Sequence, residues 1–230
     1  MMKNHFVITK NVKKFQMAVQ RINHNRRGVE RMALVTGEVG LGKTEAALHY
    51  GAHNGAIIIR MWEMMTGHWL LRELVREIGV EPAWRTEKLV DQLKEHLSPK
   101  PRTIILDEVD RFLKNQDSKK IAVLETLRDI HDVCHCPMVF VGEEWIDKKM
   151  KRLPRLYDRI VEIVRFEKFN ISDVKFFVGE LSEYRFNDDA IEEITQESGG
   201  RIRPIMNLIN QAEDSARLNQ LKAITARDLK

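Results

Sequence analysis

The sequence predicts a three-layer α/β domain built on a parallel five-stranded sheet, followed by a small helical domain. Three observations carry this expectation. Short β-rich runs alternate with helical patterns through the first 168 residues, which implies βαβ units and parallel pairing. After Phe169 the strand-like runs stop and only helical periodicity follows. A glycine-rich segment, GEVGLGKT (37–44), joins the first strand to the next helix.

The elements read in order. Strands are expected at 32–36, 56–60, 103–106, 138–141 and 160–166, with helices at 43–53, 68–78, 87–97, 119–133 and 145–153. The α/β domain is placed at 31–168, behind a basic lead-in segment (1–30). In the helical domain (169–230), Ser172 is read as the cap of a helix that ends at Ser182. Asn187 or Asp188 starts a second, stopped by Ser198-Gly199-Gly200. A third covers 203–219, and Thr225 is read as the cap of a last helix.

Composition narrows the class. Hydrophobic residues make up 43% and charged residues 31% of the 230, an ordinary globular balance. No apolar stretch approaches the roughly 18 residues a membrane span needs. The opening MMKNHFVITKNVKKF lacks the apolar core and cleavage site of a signal peptide. The only cysteines, Cys134 and Cys136, are too close to staple a fold, and a cytoplasmic location with no membrane partner is expected. The net charge of +4 is uneven. Eight cations (Lys3, Lys10, Lys13, Lys14, Arg21, Arg26, Arg27, Arg31) stand in the lead-in region against one acid, Glu30. Such a run is either a solvated helix face or a phosphate-backbone contact, where clustered cations gain affinity by counterion release.

GEVGLGKT fits G-x-x-x-x-G-K-[ST] and falls between a strand and a helix, as that motif requires. Gly37, Gly40 and Gly42 let the backbone of Gly37, Glu38, Val39, Gly40, Leu41 and Gly42 fold its N–H groups around phosphate oxygens. The helix that opens at Lys43, Thr44 and Glu45 adds its partial positive charge. Lys43 is expected to reach the β- and γ-phosphates of ATP, and the Thr44 hydroxyl to ligate Mg²⁺. TIILDEVD (103–110) is a buried strand ending in adjacent carboxylates. Asp107 would hold Mg²⁺ through its water shell, and Glu108 would polarise the attacking water as general base.

These two motifs, with room for a strand and helices between them, resemble the AAA+ ATPases over essentially the whole chain. The resemblance implies a polar γ-phosphate sensor at the tip of the fourth strand. There VFVGEE (139–144) offers Glu143 or Glu144 where Asn or Thr is usual. It implies an arginine before the fifth strand that enters a neighbouring subunit's site. KRLPRLYDRI (151–160) supplies Arg152, Arg155 and Arg159, with Arg159 best positioned and Arg155 second. It also implies that Arg203, in SGGRIRPIMNL (198–208), touches the γ-phosphate and couples the lid to nucleotide state.

Within AAA+ proteins, FVITKNVKKFQMAVQRINHNRRG (6–28) looks like the lead-in of the transposition ATPases related to the B protein of phage Mu and the TnsC proteins. The shared features are an aromatic-β start, an Asn-Val-x-x-Phe step into a helix and a basic linker. That resemblance implies ATP-driven self-assembly into filaments on duplex DNA and recruitment of a transposase. The Mu protein's additional domains are not carried over. Phosphate contacts with little sequence preference would come from Arg85, Lys88, Lys114, Lys119 and Lys120. Two rival readings stand beside this one: an origin-type or helicase-loader ATPase, and a protein switch without DNA binding.

The remaining features read more plainly. Trp62, Trp69, Trp84 and Trp145 are spaced as core or interface residues, and RMWEMMTGHW (60–69) reads as core sooner than as an adaptable methionine surface. HDVCHC (131–136) lacks the C-x₂₋₄-C spacing of a zinc site.

Overall fold

Five apolar runs become the strands of one parallel sheet: β1 (Met32–Thr36), β2 (Ile57–Arg60), β3 (Ile104–Asp107), β4 (Met138–Gly142) and β5 (Ile160–Arg165). Their order is β2-β3-β4-β1-β5. The computed structural model describes residues 5–24, 29–114 and 118–229. The chain divides into two units, one holding Lys14–Gly37 and Lys43–Arg165, the other Met1–Lys13, Glu38–Gly42 and Phe166–Lys230.

In the α/β unit, α1 (Lys10–His24, from Lys14 on) is joined by α2 (Lys43–Asn54), α3 (Gly67–Glu77), α4 (Thr86–Leu97), α5 (Val109–Leu113), α6 (Ser118–Cys134), α7 (Ile146–Met150) and α8 (Pro154–Tyr157). Strand side chains alternate between the sheet's two faces. Met32, Leu34, Ile57, Ile59, Ile104, Leu106, Met138 and Phe140 share one buried cluster with Leu70 and Leu74 of α3, Leu93 of α4 and Leu127 of α6. Ala33, Val35, Ile105, Val139 and Val141 are buried outside that cluster. On that opposite face α2 lies against β2 so closely that a Cβ on Gly51 would meet Ile58 Cδ1 at 2.4 Å. Phe15, Ala18, Val19 and Ile22 form the buried stripe of α1, spaced as an amphipathic helix requires. Phe15 stands edge-on to Tyr50 of α2, with ring centroids 5.9 Å apart.

The second unit packs α9 (Ile171–Leu181), α10 (Asp188–Ser198) and α11 (Ile202–Leu218) around Val174, Phe177, Ile194, Ile205 and Ile209, with Val7 and Phe169 in the same core. Asn11 explains the Asn-Val-x-x-Phe step. Fully buried, it donates through Nδ2 to Glu167 O (2.8 Å) and accepts from Glu167 N (3.1 Å), as a neighbouring strand would. Asn11→Ala removes both bonds, so a loss of about 1–3 kcal/mol is expected, seen as a lower urea midpoint.

Several boundaries differ from the sequence reading. Asn170, not Ser172, caps α9: its Oδ1 accepts from Asp173 N at 2.9 Å, and Asp173 returns the bond to Asn170 N at 2.9 Å, a complete capping box. The helix expected at 145–153 is two, because Pro154 restarts the chain as the first residue of α8. The last helix is a 3₁₀ turn, Ala226–Leu229, whose Asp228 carboxylate accepts from Thr225 N and Oγ1, both at 2.7 Å. Strands do not end at Phe169: β6 (Arg185–Phe186) and β7 (Ala223–Ile224) pair in parallel beside α10. Among the described residues no helix is long and apolar enough to cross a membrane.

Candidate nucleotide-binding site

Register places the site. Because β2 pairs with β3 and β4 with β1, Arg60 lies opposite Asp107 and Thr36 opposite Gly142, all at the carboxyl ends of their strands. Ligands of open α/β sheets bind in the crevice outside those ends. Lys43 opens α2 there, its Nζ donating to Gly37 O at 2.7 Å. Burial holds the Lys43 pKa below the usual lysine value, and Asp110, Glu143, Asp107 and Glu144 oppose that drop. One ammonium among four carboxylates is a centre poised for a polyanion that brings its own metal.

The Thr44 hydroxyl favours the charged form of the Asp107 carboxylate. Burial raises the Asp107 pKa, partly offset by that hydroxyl and by the Glu108 N–H, which donates to Asp107 Oδ1 at 2.9 Å. Glu108 stands in the left-handed region (φ 56°, ψ 36°), a strain of about 1–3 kcal/mol for a residue with a Cβ. Its carboxylate is already engaged by two arginines. Arg60 grips it with two bonds, Nε to Oε2 at 2.7 Å and Nη2 to Oε1 at 2.6 Å, and Arg111 adds an ion pair at 3.2 Å. Glu143 is half-buried, accepts from Trp145 Nε1 (3.2 Å) and donates its N–H to Asp110 Oδ1 (3.2 Å). Arg60 and Asp110 were missed by sequence reasoning. Asp110 closes the DEVD run and was readable, whereas Arg60 becomes visible only through the pairing of β2 with β3.

The turn 38–42 belongs to the helical unit. Gly40 (φ +86°) and Gly42 (φ +82°) occupy the left-handed region, which glycine adopts without a steric penalty. A Cβ on Gly42 would also meet Ile202 Cδ1 at 2.9 Å. Arg203 N donates to Gly40 O at 3.4 Å, so the α11 start sits beside the turn, with Arg201 equally near. Lys168 pairs with Glu38 at 2.8 Å, Val39 is exposed and Leu41 is buried. Glu45 is exposed in the first turn of α2.

Arg159 is not loose. It pairs with Asp132 through two 2.8 Å bonds (Nε to Oδ1, Nη2 to Oδ2) and donates through Nη1 to Arg155 O at 2.7 Å. This pairing lowers the Asp132 pKa against the opposing effect of burial. Arg152 and Arg155 are exposed.

The cations expected on DNA divide. Arg85, Lys88, Lys114 and Lys119 are exposed, but Lys120 is buried at 8% exposure, over the Phe112 ring at 5.6 Å. It occupies the inward face of α6 with Val123, Leu124 and Leu127, so Lys120 is no surface contact. Of the lead-in cations, Lys3, Arg26 and Arg27 lie outside the described residues. Lys10, Lys13, Lys14, Arg21 and Arg31 are described, and Lys10 pairs with Asp173 at 2.6 Å. Met61 and Met65 are core, whereas Trp62, Met64, Trp69 and Trp84 are exposed.

A family model described as AAA domain matches residues 26–150, more than half of the chain, and the chain belongs to that family. A curated relative from Staphylococcus aureus, a "Potential ATP-binding protein", is 31% identical over 144 residues, 54% of this chain and 49% of that protein. The chain thus spans about half the length of that relative. The ORC2 protein of Aeropyrum pernix, solved in ADPNP–ADP complexes, superposes with a TM-score of 0.68 at 16% identity, over 94% of this chain and 65% of that one. The A. pernix ORC1 protein in complex with DNA gives 0.66 at 13% identity, over 97% and 64%. These two likenesses establish the three-layer α/β fold with its five parallel strands.

Proposed function

We propose that this chain binds and hydrolyses ATP and, in its ATP-bound form, assembles on duplex DNA to select target sites for a transposase. The observation that carries the ATP reading is Lys43 and Thr44 at the start of α2, beside Asp107 and Glu108 at the end of β3. Gly37 to Glu45 would wrap the phosphates, and Glu143 or Glu144 and Arg203 would respond to the γ-phosphate. Thr44 and Asp107 form a hard-oxygen pair that fits Mg²⁺. When bound, that ion supplies neutralising charge to the phosphate oxygens.

Glu108 would accept the proton of the attacking water once Arg60 lets go. Arg60→Ala is therefore expected to raise basal phosphate release, and Glu108→Gln to lower it by about 10²-fold or more. Long-lived assemblies of Glu108→Gln on duplex DNA are expected in electron micrographs with ATP. Unchanged turnover in Glu108→Gln would remove it as the base.

The transposition reading is supported by the lead-in resemblance. An origin-type or loader role is favoured by the likeness to the ORC1 protein solved with DNA. ATP-dependent co-assembly with a transposase, tested beside a replicative helicase, separates the two. Absence of any salt-dependent DNA binding would sink both and leave a protein switch.

A further inference from the structure

Three of the four tryptophans are exposed, against the habit of so large an apolar side chain. Trp84 is the extreme, 86% exposed in the loop before α4. A tryptophan held in this way offers a large, rigid aromatic surface for contact. Its surroundings specify which contact. The Arg72 guanidinium of α3 lies 5.3 Å from the indole centroid and leaves the rest of the ring open. The ring borders a shallow depression of about 520 Å³ lined by His68, Arg85, Thr86 and Glu87. His68 Nδ1 and Thr86 Oγ1 are 3.1 Å apart, which links the start of α3 to the start of α4. Arg85 is exposed in that lining, and Lys88, exposed three residues further on, pairs with Asp91 at 3.4 Å.

An open indole face suits a planar partner, and Arg72 on the ring with Arg85 in the lining outweigh the lone lining acid, Glu87. A ligand both planar and anionic is a nucleotide chain with an unstacked base. A paired base in B-form DNA presents only its edge and cannot cover an indole. Base–aromatic stacking tolerates any base, because every base has a π-face.

We propose that Trp84 is a stacking platform for an extruded or unpaired base, with Arg85 and Lys88 on the flanking phosphates. The protein thereby prefers DNA with unstacked bases over perfect duplex. This rests on the DNA-binding reading above and adds a substrate class to it.

The test compares three fluorescently labelled DNAs: a perfect duplex, the same duplex with a three-nucleotide bulge, and oligo-dT. Each is titrated with wild type and Trp84→Ala in the presence of a slowly hydrolysed ATP analogue. The fold tolerates this substitution, because the side chain is 86% exposed. Wild type is expected to bind bulged DNA roughly tenfold more tightly than perfect duplex, the size of one stacking contact. Trp84→Ala should lose that preference and keep its duplex affinity. Oligo-dT should quench wild-type tryptophan fluorescence more than that of Trp84→Phe under saturation, since stacking on Trp84 quenches it directly. Equal affinity of wild type for bulged and perfect duplex would overturn the inference and leave duplex binding intact. An unchanged preference in Trp84→Ala would also overturn it and assign the patch to a protein partner. No binding to any of the DNAs would overturn both this inference and the reading it rests on.

Discussion

Lys43→Ala is expected to abolish ATP binding, and with it ATP-dependent DNA binding. The loss exceeds that of one phosphate contact. Asp107, Asp110, Glu143 and Glu144 all act on Lys43, and with the ammonium gone a triphosphate would meet four carboxylates with no cation from α2. The variant also loses the bond from Lys43 Nζ to Gly37 O at 2.7 Å. Thermal melting with Mg·ATP gives the measurement. A ligand at about 100 times its Kd stabilises by about 2.7 kcal/mol, so wild type should show a clear upward shift and Lys43→Ala none. A wild-type-sized shift in the variant would remove the basis of the ATP reading.

Particular residues show how far the sequence reaches. The five strands were legible to within one residue at each end, because β-branched runs between helices are local signals. β1 covers the expected residues, 32–36. Lys120 was misread although its spacing from Val123, Leu124 and Leu127 already put it on the apolar face of α6. Pro154 likewise announced the break between α7 and α8. Other features are not local at all. The grip of Arg60 on Glu108 depends on β2 and β3 being neighbours, a matter of sheet order. The pairing of Arg159 with Asp132 joins residues from the end of α6 and the start of β5. The exposure of Trp84 could not be told from burial, because an isolated tryptophan in a loop carries no periodicity.

Arg159→Ala should leave the nucleotide affinity of a single subunit nearly intact while ATP turnover falls by orders of magnitude. Arginines that enter a neighbour's site are worth about 10³–10⁵ in rate in related phosphoryl transfers. In the single chain this guanidinium is held by Asp132 through two 2.8 Å bonds. Reaching a neighbour therefore requires release from Asp132, and turnover per wild-type subunit should rise with protein concentration and with added duplex DNA. The same ion pair offers a rival account, in which Arg159 merely braces α6 against β5. Asp132→Asn separates the two. It breaks the ionic pairing but keeps the arginine, so it should preserve or raise turnover if Arg159 acts in trans, and should copy Arg159→Ala if Arg159 is a brace. Mixing supplies the second arm. Arg159→Ala and Lys43→Ala subunits are each expected to be inactive alone. A mixed interface joins an intact phosphate loop to an intact arginine, and partial activity should return. No recovery in a mixture shown to co-assemble would exclude Arg159 as the trans-acting group and pass that role to the exposed Arg155.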